Sequence, residues 1–229
     1  MPLRIPPCVT FDNSSMHLRK KTRRRSFSLR ITFAAAQSRR IGRDPVYQNG
    51  QISALGSFKG QNLYQAQRIN NRGQILALYE VANGTIGTII YNGGQMQEIV
   101  PPCSIQGDIV GEVINDRGVV LGRYGLSPGA PDKGYFIFTN GTFHNLGTYS
   151  HLLLAMNNSG QIVGAGAASY PSVAILSDGI GDQDLNKLID PTAGVTLREA
   201  TGIDDSGQIC GWGYDAAGNL VGFLLTPIK

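Results

Sequence analysis

The sequence is poor in charge, in cysteine and in long apolar runs. Charged residues make up 16% of the 229-residue chain, against about 25% in ordinary soluble domains. The three cysteines, Cys8, Cys103 and Cys210, are far apart, which excludes a disulfide framework and a CxxC zinc site. No apolar run approaches the roughly 18 residues of a membrane-spanning helix, so we expect no membrane span.

Glycine, by contrast, is abundant. It accounts for 30 residues, about 13% of the chain against a usual ~7%. The glycines follow no G-X-Y period, which excludes collagen. Low charge combined with many glycines indicates an all-β protein rich in tight turns.

Positive charge is concentrated near the N-terminus. Residues 14–43 hold ten basic side chains and no acidic one, whereas residues 44–229 hold nine basic and fifteen acidic ones, a net charge of −6. We therefore divide the chain into a basic tail, residues 1–45, which we expect to be disordered, and a folded domain, residues 46–229. We expect no nucleic-acid binding except through the tail.

Three interpretations of the tail stay open. A basic segment followed by a semi-apolar stretch and three alanines is similar to a degenerate export signal, and Arg24-Arg25-Ser26-Phe27 resembles a twin-arginine signal. A solvated disordered arm has the same composition. An arm for nucleic-acid binding or organelle targeting is the third interpretation, because the segment is rich in arginine and serine and lacks acids.

The folded domain contains four copies of one eight-residue pattern. An apolar residue is followed by two Asn or Asp residues, a variable residue and a glycine, and the pattern ends on apolar residues. The copies occupy residues 69–76, 114–121, 156–163 and 203–210, with spacings of 45, 42 and 47 residues. This regular recurrence indicates a repeat protein.

Each copy predicts two strands joined by a tight turn. The first Asn or Asp opens the turn with its side-chain oxygen, and the glycine accepts positive φ. A small residue lies four positions after each glycine, which indicates the close approach of another backbone. These small residues are Ala77, Gly122, Gly164 and Gly211.

A second hairpin signal recurs in the same units. It is an Asn-Gly or Asp-Gly pair, found at Asn49-Gly50, Asn92-Gly93, Asn140-Gly141 and Asp178-Gly179. Each unit then has four short antiparallel strands, as in the blades of β-propellers. We therefore predict an all-β fold, a small β-propeller of four four-stranded blades over residues 46–229.

The strand count also predicts how the ring closes. The fourth unit stops at its third strand, residues 222–226, while residues 51–55 form an outer strand with no unit of their own. Pairing these two strands completes the fourth blade and hides two sheet edges. An open fragment of a larger ring and a twisted β array are the alternatives.

At these residues the sequence resembles the bacterial HAF-repeat family of predicted extracellular proteins. The likeness lies in residues 156–164, in Gly94-Gln95-Met96 and in Asn145-Leu146-Gly147-Thr148. The histidine of the H-A-F motif is absent here, so no role is carried over for it; its positions hold Gly87, Gly134, Ser172 and Val221. The resemblance implies a secreted or cell-surface repeat protein.

No catalytic or metal-binding constellation stands out. His144 and His151 lack an evident third ligand for a metal, and residues 178–184 begin a loop that departs from the EF-hand pattern at Lys187 and Ala193. The sequence contains no G-x-S-x-G motif and no phosphate-binding loop. We therefore expect no metal, no cofactor and no catalytic residue.

The variable connections are the predicted binding surface. The two repeated turns are nearly identical between units and are interpreted as structural, whereas the other connections differ and meet at the opposite end of each blade. Arginine and aromatic residues there are typical anchors for a ligand. The candidates are Arg123, Tyr124, Tyr149, His151, Tyr170, Arg198, Trp212 and Tyr214.

Two hypotheses for the function follow. The first is a non-enzymatic binding or structural module, extracellular or at the cell surface, whose partner is an unknown protein or glycan; a single tryptophan weakens the glycan case. The second is a carbohydrate-active hydrolase or lyase on a β-propeller scaffold, which needs two carboxylates about 5–10 Å apart. Its candidate carboxylates are Glu80, Asp132, Asp190 and Glu199.

Overall fold

A computed structural model describes residues 45–48, 51–81, 84–125, 133–147, 151–166, 172–178 and 181–228, except for the side chains of 45–48, 51–54, 62 and 64. The basic tail before residue 45 lies outside these ranges. Within them the protein is all-β, with two short 3-10 helices at Leu185–Lys187 and Pro191–Ala193. No helix in these ranges is long and apolar enough to span a membrane.

The strands form four repeat units and one separate hairpin, and every pairing is antiparallel. The hairpin is β1 (Pro45–Gln48) with β2 (Gln51–Ala54). Unit one is β3 (Ser57–Phe58), β4 (Gln61–Ile69), β5 (Ile75–Glu80), β6 (Ile86–Asn92) and β7 (Gln95–Glu98). Unit two is β8 (Ile109–Ile114), β9 (Val120–Tyr124), β10 (Gly134–Thr139) and β11 (Thr142–Gly147). Unit three is β12 (His151–Met156), β13 (Ile162–Gly166), β14 (Val173–Ser177) and β15 (Asp182–Asp184). Unit four is β16 (Val195–Ile203), β17 (Ile209–Asp215) and β18 (Leu220–Leu225).

The predicted close approach of backbones is confirmed at the small residues. In every unit the small residue pairs with the last residue before a β-bulge in the neighbouring strand. A Cβ atom on Gly164 would lie 1.8 Å from the carbonyl oxygen of Leu152, and one on Gly211 would lie 2.0 Å from that of Glu199. Glycine is required at these two positions because the bulged strand fills the space of a side chain.

Buried clusters join each unit to the next. Units one and two share a cluster around Phe136, which is fully buried. Units two and three share one around Leu121 and Leu153, and units three and four share one around Val163 and Leu197. Among the described residues, no buried cluster joins unit four to unit one. The units therefore stack in chain order, each covering one face of its predecessor.

The predicted pairing of residues 51–55 with 222–226 is wrong. β2 pairs with β1, Tyr47 facing Ile52, and the described strand beside β18 is β17. The reason lies in Asn49-Gly50, a strong two-residue hairpin signal, although these two residues lie outside the described ranges. Closing a two-residue loop costs far less entropy than closing most of the chain. Unit four consequently has three strands instead of four, and unit one has five.

Candidate functional site

The repeated turns form a ladder of buried asparagines, here called the buried ladder: Asn70, Asn115, Asn157 and Asp204. The side-chain Oδ1 of Asn115 accepts hydrogen bonds from the backbone N–H groups of Arg117 and Val119, both at 3.0 Å, which holds its own turn. Gly118 in that turn has φ +80°. Sequence reasoning therefore identified the turn chemistry correctly.

The same side chains also link consecutive units. Each asparagine donates from Nδ2 to the backbone carbonyl of the next ladder residue, at 2.8 Å from Asn70, 3.0 Å from Asn115 and 3.1 Å from Asn157. Asn70, Asn115 and Asn157 are at most 8% exposed, so these hydrogen bonds are shielded from water. Asp204 has no N–H in its side chain, and the ladder ends there.

A second row of side chains, the exposed ladder, runs beside the first and consists of Asn71, Asp116, Asn158 and Asp205. Backbone N–H groups donate to the next side chain, from Asn71 to Asp116 at 2.8 Å and from Asp116 to Asn158 at 2.7 Å. The step from Asn158 to Asp205 is also 2.8 Å. The two ladders and four apolar residues line one open cavity of about 320 Å³, to which all four units contribute. The lining apolar residues are Ile69, Ile114, Met156 and Ile203.

The exposed ladder predicts acid sensitivity. Hydrogen bonds from the side chain and backbone of Asn71 lower the pKa of Asp116 below its usual value. A carboxylate with a lowered pKa in the folded state stabilises the fold above about pH 4, and that contribution is lost as the pH falls through the folded pKa. We expect the melting temperature to fall on acidification, and Asp116→Asn to flatten this dependence. An equally steep dependence in the variant would contradict the prediction.

The predicted binding residues occupy the end opposite the ladders, but they do not form one surface. Tyr149 and Tyr170 lie outside the described residues. Tyr124 is 2% exposed and donates from its hydroxyl to Oδ1 of Asn145 at 2.9 Å. It is a core residue, because it lies in β9 rather than in a connection, and this corrects its placement on the surface.

Two further candidates are engaged by carboxylates within the chain. Arg123 donates from Nε to Oε1 of Glu112 at 2.8 Å, and the two form an ion pair. His151 begins β12, and its Nδ1 contacts a carboxylate oxygen of Asp182. An intramolecular partner already neutralises the Arg123 guanidinium, which makes it a weaker anchor for a ligand.

The structure brings the remaining three candidates together in unit four. Trp212 and Tyr214 lie on one face of β17 and meet edge to face, with ring centroids 6.0 Å apart. The guanidinium of Arg198 lies 5.8 Å from the centroid of Tyr214. Arg198 donates from Nη1 to the carbonyl of Ser172 at 3.2 Å, while its buried Nε has no hydrogen-bond partner among the described residues. We call these three residues the aromatic cluster.

The same face of unit four continues onto β18. Leu220 pairs with Tyr214 and is 68% exposed, and Leu224 is 62% exposed. In the preceding units the equivalent strands are mostly buried. The two leucines were not singled out from the sequence; the available signal was their place in a third strand with no fourth strand after it.

The carboxylates of the enzymatic alternative are not gathered in one place. Glu80 ends β5 in unit one, whereas Asp190 and Glu199 belong to unit four. Asp132 lies outside the described residues. Asp190 caps the second 3-10 helix, and hydrogen bonds from Thr192 lower its pKa, which is unfavourable for a general acid. No group of three or more His, Cys, Asp or Glu side chains in the described ranges is placed to hold a metal ion.

Comparison with known proteins found no match among protein-family models and none among curated proteins. The resemblance to HAF repeats therefore stays a prediction.

Proposed function

We propose that the protein is a non-enzymatic binding module, extracellular or at the cell surface, built as a small β-propeller of four units. Support for a ring comes from the cavity between the ladders, because the turns of units one and four line it together with those of units two and three. A straight stack would separate its first and last turns by the full length of the stack. The antiparallel units of three to five strands have the architecture of blades.

The aromatic cluster is the proposed binding site, and one observation carries this choice. Arg198 holds a buried Nε without a partner beside two aromatic rings, of which Tyr214 is 38% exposed. Arginine and aromatic side chains are the most frequent energetic anchors of binding surfaces. The expected ligand offers a hydrogen-bond acceptor, such as a carboxylate, to Arg198 and an apolar surface to the rings.

The neighbouring leucines favour a protein segment as this ligand. Leu220 extends the apolar surface next to Tyr214, and a contiguous exposed apolar patch is typical of a protein-binding surface. An acidic glycan stacks on the rings but makes little use of leucine side chains. The proposed partner is therefore a protein segment that carries both a carboxylate and apolar side chains.

Tryptophan fluorescence tests this proposal. Trp212 is the only tryptophan in the chain, so its emission reports on the aromatic cluster alone. We expect peptides that combine aspartate with leucine to change the emission, and Tyr214→Ala or Arg198→Gln to weaken binding by about tenfold or more. Tyr91→Ala in unit one is the matched control and leaves binding unchanged.

Three results would oppose the proposal. One is the absence of any response to the acidic peptides. Another is equal binding by the Arg198→Gln variant. The third is a response to galacturonate oligosaccharides but not to the peptides, which would assign the site to glycans.

A further inference from the structure

The outer edge of β18 lacks the protection that sheet edges usually carry. In units one to three an outer strand pairs with the third strand, namely β7, β11 and β15. β18 has β17 on one side and no other described strand on its free side. Exposed edges are normally blunted by charges, prolines or bulges. The sequence of β18, Leu-Val-Gly-Phe-Leu-Leu, contains no charge and no proline, and its pairing with β17 shows no register shift.

The free edge therefore retains the backbone donors and acceptors that an additional antiparallel strand needs. The chain's own spare strand, β2, is already paired with β1. Another strand with an uncharged edge of matching length is β18 of a second copy. Isologous contacts of this kind are the commonest way in which proteins form dimers.

The side chains of β18 are complementary to themselves about Gly222. Leu220, Gly222 and Leu224 alternate on the exposed face. In an antiparallel pair centred on Gly222, Leu220 of one copy lies opposite Leu224 of the other, and Gly222 faces its own counterpart. The exposed leucines then contact each other in two cross-strand pairs, which is the favourable arrangement for apolar side chains in a sheet.

We propose that two copies of this chain pair through β18 into a twofold-symmetric dimer with a continuous six-stranded sheet. The sheet places both aromatic clusters on one surface without covering either cluster. The pairing rests on the edge and its residues, and it is independent of the proposed ligand.

Substitutions at Gly222 test both the dimer and its register. A Cβ atom on Gly222 would meet its nearest neighbour, the carbonyl oxygen of Gly211, at 3.7 Å, so a side chain fits there. By sedimentation equilibrium we expect the wild type and Gly222→Ala to have twice the chain mass of 24.5 kDa. We expect Gly222→Lys to be monomeric, because two ammonium groups then face each other across the axis.

Two further variants complete the experiment. Leu188→Lys adds the same charge at an exposed leucine elsewhere, 58% exposed, and is expected to remain dimeric. Gly222→Cys is expected to form a reducible disulfide dimer under mild oxidation that is absent from the wild type.

Any of three results would overturn the dimer. The first is a monomeric wild type, including one whose β18 amides are protected from hydrogen exchange, which would mean that another segment of the same chain covers the edge. The second is a Gly222→Lys variant that stays dimeric. The third is a dimer in which Gly222→Cys forms no disulfide across the axis.

Discussion

Replacing Phe136 with alanine is expected to lower the free energy of unfolding by about 3–5 kcal/mol, the usual loss for a buried aromatic ring. Phe136 is fully buried between units one and two. Its ring stacks on that of Phe143 with centroids 4.5 Å apart. It also lies against Gly122, where an added Cβ atom would approach it to 2.4 Å. Neither neighbour moves easily into the space that alanine would leave.

Chemical denaturation followed by circular dichroism measures this loss. Phe136→Leu keeps most of the volume and is expected to lose less. Leu188→Ala removes a side chain that is 58% exposed and is expected to change the stability by no more than about 0.5 kcal/mol. A small effect of Phe136→Ala would contradict the shared core between units one and two.

The second large effect is expected at Asn115. Alanine there removes two hydrogen bonds within the turn and the one from Nδ2 to the carbonyl of Asn157, all near 3.0 Å. The groups left behind lie at a residue that is 6% exposed. Each lost hydrogen bond costs about 1 kcal/mol, and more where a buried group stays unpaired. We therefore expect Asn115→Ala to lower the free energy of unfolding by about 2–4 kcal/mol.

Two matched substitutions separate the roles of Asn115. Asn115→Asp keeps the acceptor for its own turn but loses the donor to unit three, so it reports on the link between units. Asp204→Ala removes an exposed turn residue that makes no such link, and its loss is expected to be smaller. If Asn115→Asp were as stable as the wild type, the buried ladder would contribute nothing to the packing of consecutive units.

Local features of the fold were predictable from the sequence, because local chemistry determines them. The glycines at turns have positive φ, as at Gly73 and Gly160, and the small residues meet a bulge of the adjacent strand. The partner of β2 was not predictable from its own pattern. The same alternating strand pairs equally well with a near or a distant edge, and the two-residue connection to β1 decides between them.

The candidate site was only partly predictable, and strand length is the reason. Tyr124 and Trp212 were expected in variable connections, but β9 and β17 extend through both residues. A residue inside a strand points to one face or the other, and the packing of the neighbouring unit decides whether that face is covered. Tyr124 faces the core between units one and two, whereas Trp212 lies on the face of unit four that no later unit covers.

The polarity of the buried ladder restricts how such a chain can grow by tandem duplication. Every link runs forward, from an asparagine side chain to the carbonyl of the next turn. A duplicated copy of unit two inserted after unit two carries its own asparagine and continues the series. A copy added after unit four receives no link from Asp204, because a carboxylate has no hydrogen to donate. One amide-to-acid replacement therefore sets the number of repeats that the ladder holds together.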